Sequence, residues 1–236
     1  MTIRIGGWQL MNSNFRSEVV AVLKKEYLCE IRGKGGWQSA GLFLLVSTII
    51  LSVGLAGEKL SGGMAAAVIW ALLLFASSVG LPRTFLHEEE QGTADLLRIY
   101  ADAGAVFLGK ALFNLAQSLV AGTILSFLFF LLTEVTITDP GQYILSLLGG
   151  CIAISASMTL CAALVAQAAY RSALVGAIAL PLLVPVAILG VSAMKTSMGS
   201  GLPEVGRSAL LGLIGYGVFS FAVGPPLFRV LWAVKS

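Results

Sequence analysis

Six stretches of this chain contain no Asp, Glu, Lys or Arg: residues 35–57, 60–82, 111–133, 140–170, 172–194 and 208–228. Each runs to between 21 and 31 residues, and a helix needs roughly 20 apolar residues to cross the hydrocarbon core of a bilayer. In lipid every backbone polar group must be bonded within the protein, and a helix achieves this inside one segment. Helices buried in a soluble bundle would carry polar stripes at helical period, and these stretches show none. The pattern predicts an all-α integral membrane protein with six transmembrane helices. Composition agrees, with 57% hydrophobic and only 11% charged residues among 236, against about 25% charged in ordinary soluble domains. A soluble enzyme is therefore excluded, and a net charge of +3 gives no reason to expect a nucleic-acid partner.

The basic residues set an orientation. With the N-terminus inside, twelve of the fifteen Lys and Arg fall on the cytoplasmic side, and only Lys59, Lys195 and Arg207 on the other. By the positive-inside rule both termini are predicted cytoplasmic. The chain divides into a leader over 1–38 and a six-helix permease domain over 39–236. About 40 mostly polar residues precede the first apolar run, whereas a cleavable signal would place it much earlier. Within the leader, 14–31 reads as an amphipathic helix capped by Asn14, with Phe15, Val19, Val22 and Leu23 recurring near helical spacing and Lys24, Lys25, Glu26 and Glu30 polar. Such a helix lies most simply in the inner interface, with Gly33, Gly35 and Gly36 releasing the chain into the first span.

The polar stretch between the second and third spans is the candidate functional segment, 83–104. It contains Arg83, Glu88, Glu89, Glu90, Asp95, Arg98 and Asp102, with Lys110 at its far edge. Gly92 suits a helix stop, Thr93 suits the cap of the next helix, and Asp95 suits the positive end of its dipole. That short helix would gather Leu96, Leu97 and Tyr100 on one apolar face, which either lies in the headgroup layer or docks a soluble partner. Lys110 is expected to snorkel at the inner interface. Residues 104–111 nearly spell a phosphate-binding loop, but Ala111 replaces the Ser or Thr and no strand precedes it. One histidine in the whole chain, His87, argues against a His-based metal site or triad. Cys29, Cys151 and Cys161 offer no pairing framework. No span carries a charge at its centre, as ion-coupled carriers usually do, which favours a permease moved by energy from elsewhere. Pro181 and Pro185 interrupt the fifth span and free the carbonyls of Ala177 and Pro181, giving a static kink or a hinge.

Arg83, Phe85 and Glu88, followed by Gly92, Leu96, Leu97, Asp102, Gly109 and Lys110, resemble the haem exporter B family of cytochrome c maturation, CcmB. Residues 180–188, with their paired prolines, are similar to a span of that family, and Glu90-Gln91-Gly92-Thr93 resembles the signature of the wider ABC-2 permease group. Tyr100 stands where family members usually carry a proline. The resemblance implies a non-enzymatic permease subunit in a bacterial inner membrane or its organelle equivalent, working with a separate CcmA-like ATPase. It also implies CcmC-like and CcmD-like membrane subunits, a CcmE-like haem chaperone, and a dimer of permease subunits. ATP would be bound by the ATPase and haem by a partner, leaving no cofactor directly on this chain. Segment 83–104 would couple ATP hydrolysis to haem delivery or to release of the loaded chaperone. A permease for a lipid, polysaccharide or drug, or a non-transporting scaffold, are the alternative readings.

Overall fold

The computed structural model describes residues 6–33, 36–55, 57–80, 88, 92, 97, 101–166 and 171–233. Among these residues there are seven long helices and no strand: α1 Gly6–Gly33, α2 Gly36–Leu55, α3 Gly62–Gly80, α4 Ala103–Leu132, α5 Pro140–Ala166, α6 Arg171–Ser197 and α7 Pro203–Ala233. Local chemistry sets the breaks. The glycines at 33 and 36 close α1 and open α2. Asp102 caps α4, its Oδ1 accepting from the Gly104 amide at 2.8 Å. Asp139 does the same for α5 by accepting from the Gln142 amide at 3.0 Å. Pro140 and Pro203 open α5 and α7, where the missing N–H would have had no helical partner.

Five helices are long and apolar enough to cross a membrane, over Gln38–Leu55, Ala103–Leu132, Pro140–Val165, Ile178–Ser197 and Pro203–Val230. The expected span at 60–82 corresponds to α3, whose apolar part is the shorter Gly62–Ser78. At about 1.5 Å per residue it rises roughly 26 Å, less than the ~30 Å of a hydrocarbon core. Among the described residues five helices are thus full-length spans, and α3 is a shorter apolar helix within the sixth expected stretch. α4 also begins eight residues before its charge-free stretch and takes Lys110 into the helix, because a charge that finds partners does not end a helix.

The leader differs from expectation in length and in facing. α1 starts at Gly6, so Asn14 is an interior residue and not a cap. The Phe15–Val19–Val22 face turns onto α4, with Val22 buried and Phe15, Val19 and Leu23 half-buried. Gly109 makes the approach possible, since a Cβ there would lie 2.8 Å from Val22 Cβ and 3.0 Å from the Val19 carbonyl.

Two apolar clusters hold the helices together. The larger joins Ala40 and Leu44 of α2, Ile69, Trp70 and Leu73 of α3, Leu125 and Phe129 of α4, and buried residues of α5, α6 and α7. At its centre the Trp70 indole fills the space left by two glycines: a Cβ on Gly150 or Gly190 would fall 2.1 or 2.2 Å from the ring. The smaller cluster joins Val22, Ala103, Val106, Phe107, Ala111, Ala162, Ala163 and Phe228, with Leu97, Ala101 and Trp232 packed on it. At the opposite end the amides of Thr138 and Asp139 both donate to the Ser197 carbonyl, and Gln142 Nε2 donates to the Ala193 carbonyl and to Thr196 Oγ1.

Candidate functional site

Four charged side chains from three separate parts of the chain meet beside the smaller cluster. Lys110 of α4 donates from Nζ to Glu26 Oε1 of α1 at 2.7 Å and lies 3.0 Å from Glu88 Oε1. Lys25 of α1 donates to Glu26 at 3.1 Å and also to Glu88. Lys110 is fully buried, Glu26 and Glu88 are buried, and Lys25 is half-buried. An ammonium removed from water loses several kcal/mol of hydration, so it persists only where carboxylates replace that water. Lys110 therefore does not reach for the interface; its charge is met inside the protein. Burial, reinforced by the nearby Lys110 charge, holds the Lys25 amine below the usual lysine range.

A second set of contacts ties the same helices about two turns away. The Asp102 amide donates to Glu18 Oε2 of α1 at 2.9 Å, and Arg229 of α7 donates to Asp102 Oδ1 at 2.9 Å. Desolvation works against the Asp102 carboxylate, but Arg229 and the α4 amides outweigh it and hold the group below its ordinary range. The rings of Phe107, Phe228 and Trp232 pack in sequence beside this tie at tilted angles, with centroids 5.9 and 4.8 Å apart. Contacts follow the same order along both helices: Glu18 with Asp102, Val22 with Gly109, Glu26 with Lys110.

Of the residues singled out in segment 83–104, four are described, Asp102 among them as the cap of α4. Glu88 is helical and buried in the ion cluster, Gly92 is exposed in the left-handed region at φ +66°, and Leu97 is helical and packs on the smaller apolar cluster. The left-handed backbone at Gly92 is the one a helix stop requires and a side chain would strain. Arg83, Phe85, Glu89, Glu90, Thr93, Asp95, Leu96 and Tyr100 lie outside the described residues. Residues 104–111 form two turns of helix, most of them buried, with no loop that could cradle a phosphate.

Pro181 and Pro185 both sit within α6, which is continuous through them. The Tyr216 hydroxyl of α7 donates to the Leu182 carbonyl at 2.8 Å. The carbonyl that Pro185 deprives of a helical donor is that of Pro181, one residue earlier, so the hydroxyl ties α7 to α6 beside that gap and does not fill it. Tyr216 was not singled out in the sequence, nor were Pro225 and Pro226 inside α7. In the sequence Glu26 falls with the polar residues of the leader helix. Its spacing four residues after Val22 and seven after Val19 puts a carboxylate on the buried stripe, and that was the available signal. Between α4 and α5 the sequence also hides a polar seam. Asn114 Nδ2 donates to Thr159 Oγ1 at 2.8 Å, while Asn114 Oδ1 and Ser118 Oγ, one turn apart, have no partner among the described residues.

These features define a multi-pass helical membrane protein in which an ion cluster and an Asp102–Arg229 pair knit one end of the bundle together. The family described as CcmB protein matches residues 17–228, and the chain belongs to that family. The match takes in the whole ion cluster and both α6 prolines. The heme exporter protein B of Bradyrhizobium diazoefficiens is 27% identical over 179 residues, covering 74% of this chain and 80% of the relative.

Proposed function

We propose that this chain is the permease subunit of an ABC-type complex in cytochrome c maturation. A separate CcmA-like ATPase would press on segment 83–104 from the cytoplasm of a bacterial inner membrane, where both termini also lie. The work would serve haem delivery or release of a haem-loaded CcmE-like chaperone, with CcmC-like and CcmD-like subunits handling the haem and a second permease copy completing the pair. Membership of the CcmB family and the likeness to a heme exporter protein B support the setting. The observation that carries the mechanical part is the burial of Glu88 against Lys110. Separating them would strand buried charge at a cost of about 3–5 kcal/mol. Displacement of the segment therefore becomes displacement of α4 and α1.

Leu97 packs inward, so in this reading it anchors the segment, while Leu96, Tyr100 and Glu89–Glu90 form the contact with the ATPase. Pro181 and Pro185, braced by Tyr216, would be where α6 yields to that movement. The test is co-purification of the ATPase with a Leu96→Asp, Tyr100→Asp chain, followed by the content of c-type cytochromes. A loss of at least about tenfold in bound ATPase is expected, with cytochromes falling alongside. Unchanged co-purification would sink the docking surface. Normal cytochromes beside a catalytically dead ATPase would make the chain a scaffold.

A further inference from the structure

The helix that packs on α4 by one face leaves its opposite face bare. Val20, Lys24, Tyr27, Leu28 and Ile31 fall at intervals of four, three, one and three residues, which places them on one side of α1. Their exposure is large for apolar groups: Val20 64%, Tyr27 55%, Ile31 57%. Arg16 and Arg32 are exposed at either end of this stripe, with Lys24 inside it. The acids of the helix are sorted the other way. Glu18 accepts from the Asp102 amide, Glu26 is buried in the ion cluster, and Glu30 is half-buried. The outward face is therefore aliphatic and cationic, and among the described residues it carries no carboxylate.

We infer that this outward face of α1 binds anionic phospholipid headgroups, its aliphatic residues entering the acyl boundary and Arg16, Lys24 and Arg32 engaging the phosphates. Two features select lipid over a protein partner. The stripe ends at Ile31 and Arg32, and α2, long and apolar enough to span, begins at Gly36, so its C-terminal end is fixed where the hydrocarbon begins. Its charge is of one sign and lies within a Debye length of that surface, where anionic lipids attract each basic residue. A helix with an apolar stripe and basic flanks is the form such binding takes. The inference differs from the sequence reading in the face it uses, because the Phe15–Val19–Val22 face is already occupied by α4.

The full chain in lipid nanodiscs tests it. A bimane dye on Leu28→Cys in a Cys29→Ser background reports from this face, since Cys151 and Cys161 are buried. Quenching by a fixed fraction of headgroup-nitroxide lipid is compared in phosphatidylcholine and in phosphatidylcholine with about a quarter phosphatidylglycerol. The anionic discs are expected to quench at least about twofold more strongly at low salt, and the difference to vanish near 1 M salt. Arg16→Gln, Lys24→Gln and Arg32→Gln together should abolish it, while Arg16→Lys, Lys24→Arg and Arg32→Lys together should keep it. Equal quenching in both lipids overturns the inference, and so does a difference that survives the glutamine set. Shielding of the dye by added ATPase or by a second copy, with weak quenching in both discs, overturns it as well. The measurement involves neither ATPase turnover nor haem, so its failure leaves the transport reading standing.

Discussion

Lys110 and its two carboxylates show how much a single buried charge constrains. Lys110→Met alone leaves Glu26 and Glu88 facing each other out of water without the ammonium that lies between them. The expected loss is about 3–5 kcal/mol, seen as a lowered melting temperature in detergent. Adding Glu26→Leu and Glu88→Leu to Lys110→Met should recover most of that loss, because a well-packed apolar set often equals or exceeds a buried ion pair in stability. A triple variant no more stable than the single one would contradict the account. These side chains were visible in the sequence as charges, but not as partners. Glu88 and Lys110 are 22 residues apart and Glu26 is 84 from Lys110, and no local pattern brings three such positions together. Lys110 alone reads as a snorkelling lysine because the isolated helix offers it no carboxylate.

The helices themselves were largely legible, because absence of charge over 20 or more residues admits few structures besides a span. Their ends were not. α4 begins before its uncharged stretch and takes in Lys110, and α7 runs beyond its own and takes in Arg229, each charge meeting a partner. In α3, among the described residues, the apolar helix covers Gly62–Ser78 of an uncharged stretch over 60–82. Prolines were visible as interruptions, yet α6 continues through two of them. The Tyr216 hydroxyl braces α6 beside the second of these gaps, and it comes from another helix. Tyr216→Phe is expected to cost about 0.6–1.7 kcal/mol, the range of hydrogen bonds between membrane helices, read as a lower melting temperature. Pro185→Ala restores the amide that serves the Pro181 carbonyl and should leave that cost unchanged, because the Val186 amide serves the Leu182 carbonyl either way. A much smaller Tyr216→Phe effect in the Pro185→Ala background would contradict this.

At the scale of the molecule, two apolar clusters meet along α4, α5 and α7. The smaller one holds α1, the start of α4 and the end of α7, together with the ion cluster and Leu97. The larger one holds the remaining helices around α5. Separate clusters open with separate free energies. Hydrogen exchange in detergent should find α5 slowest, with α1 and the last turns of α7 opening together and earlier. One common rate across both clusters would contradict this division. None of it was legible in the sequence, where α1 and the end of α7 are nearly two hundred residues apart.

The fit of Trp70 between Gly150 and Gly190 also limits the routes by which a lineage can change. A side chain added at either glycine collides with the ring, so enlargement there must follow, never precede, a smaller residue at 70. Loss of the ring first leaves a void between α3, α5 and α6 until a second change fills it. Of the possible orders of substitution, each passes through an intermediate that is either overfilled or hollow. Descendants are therefore expected to keep all three residues or to exchange them as a set.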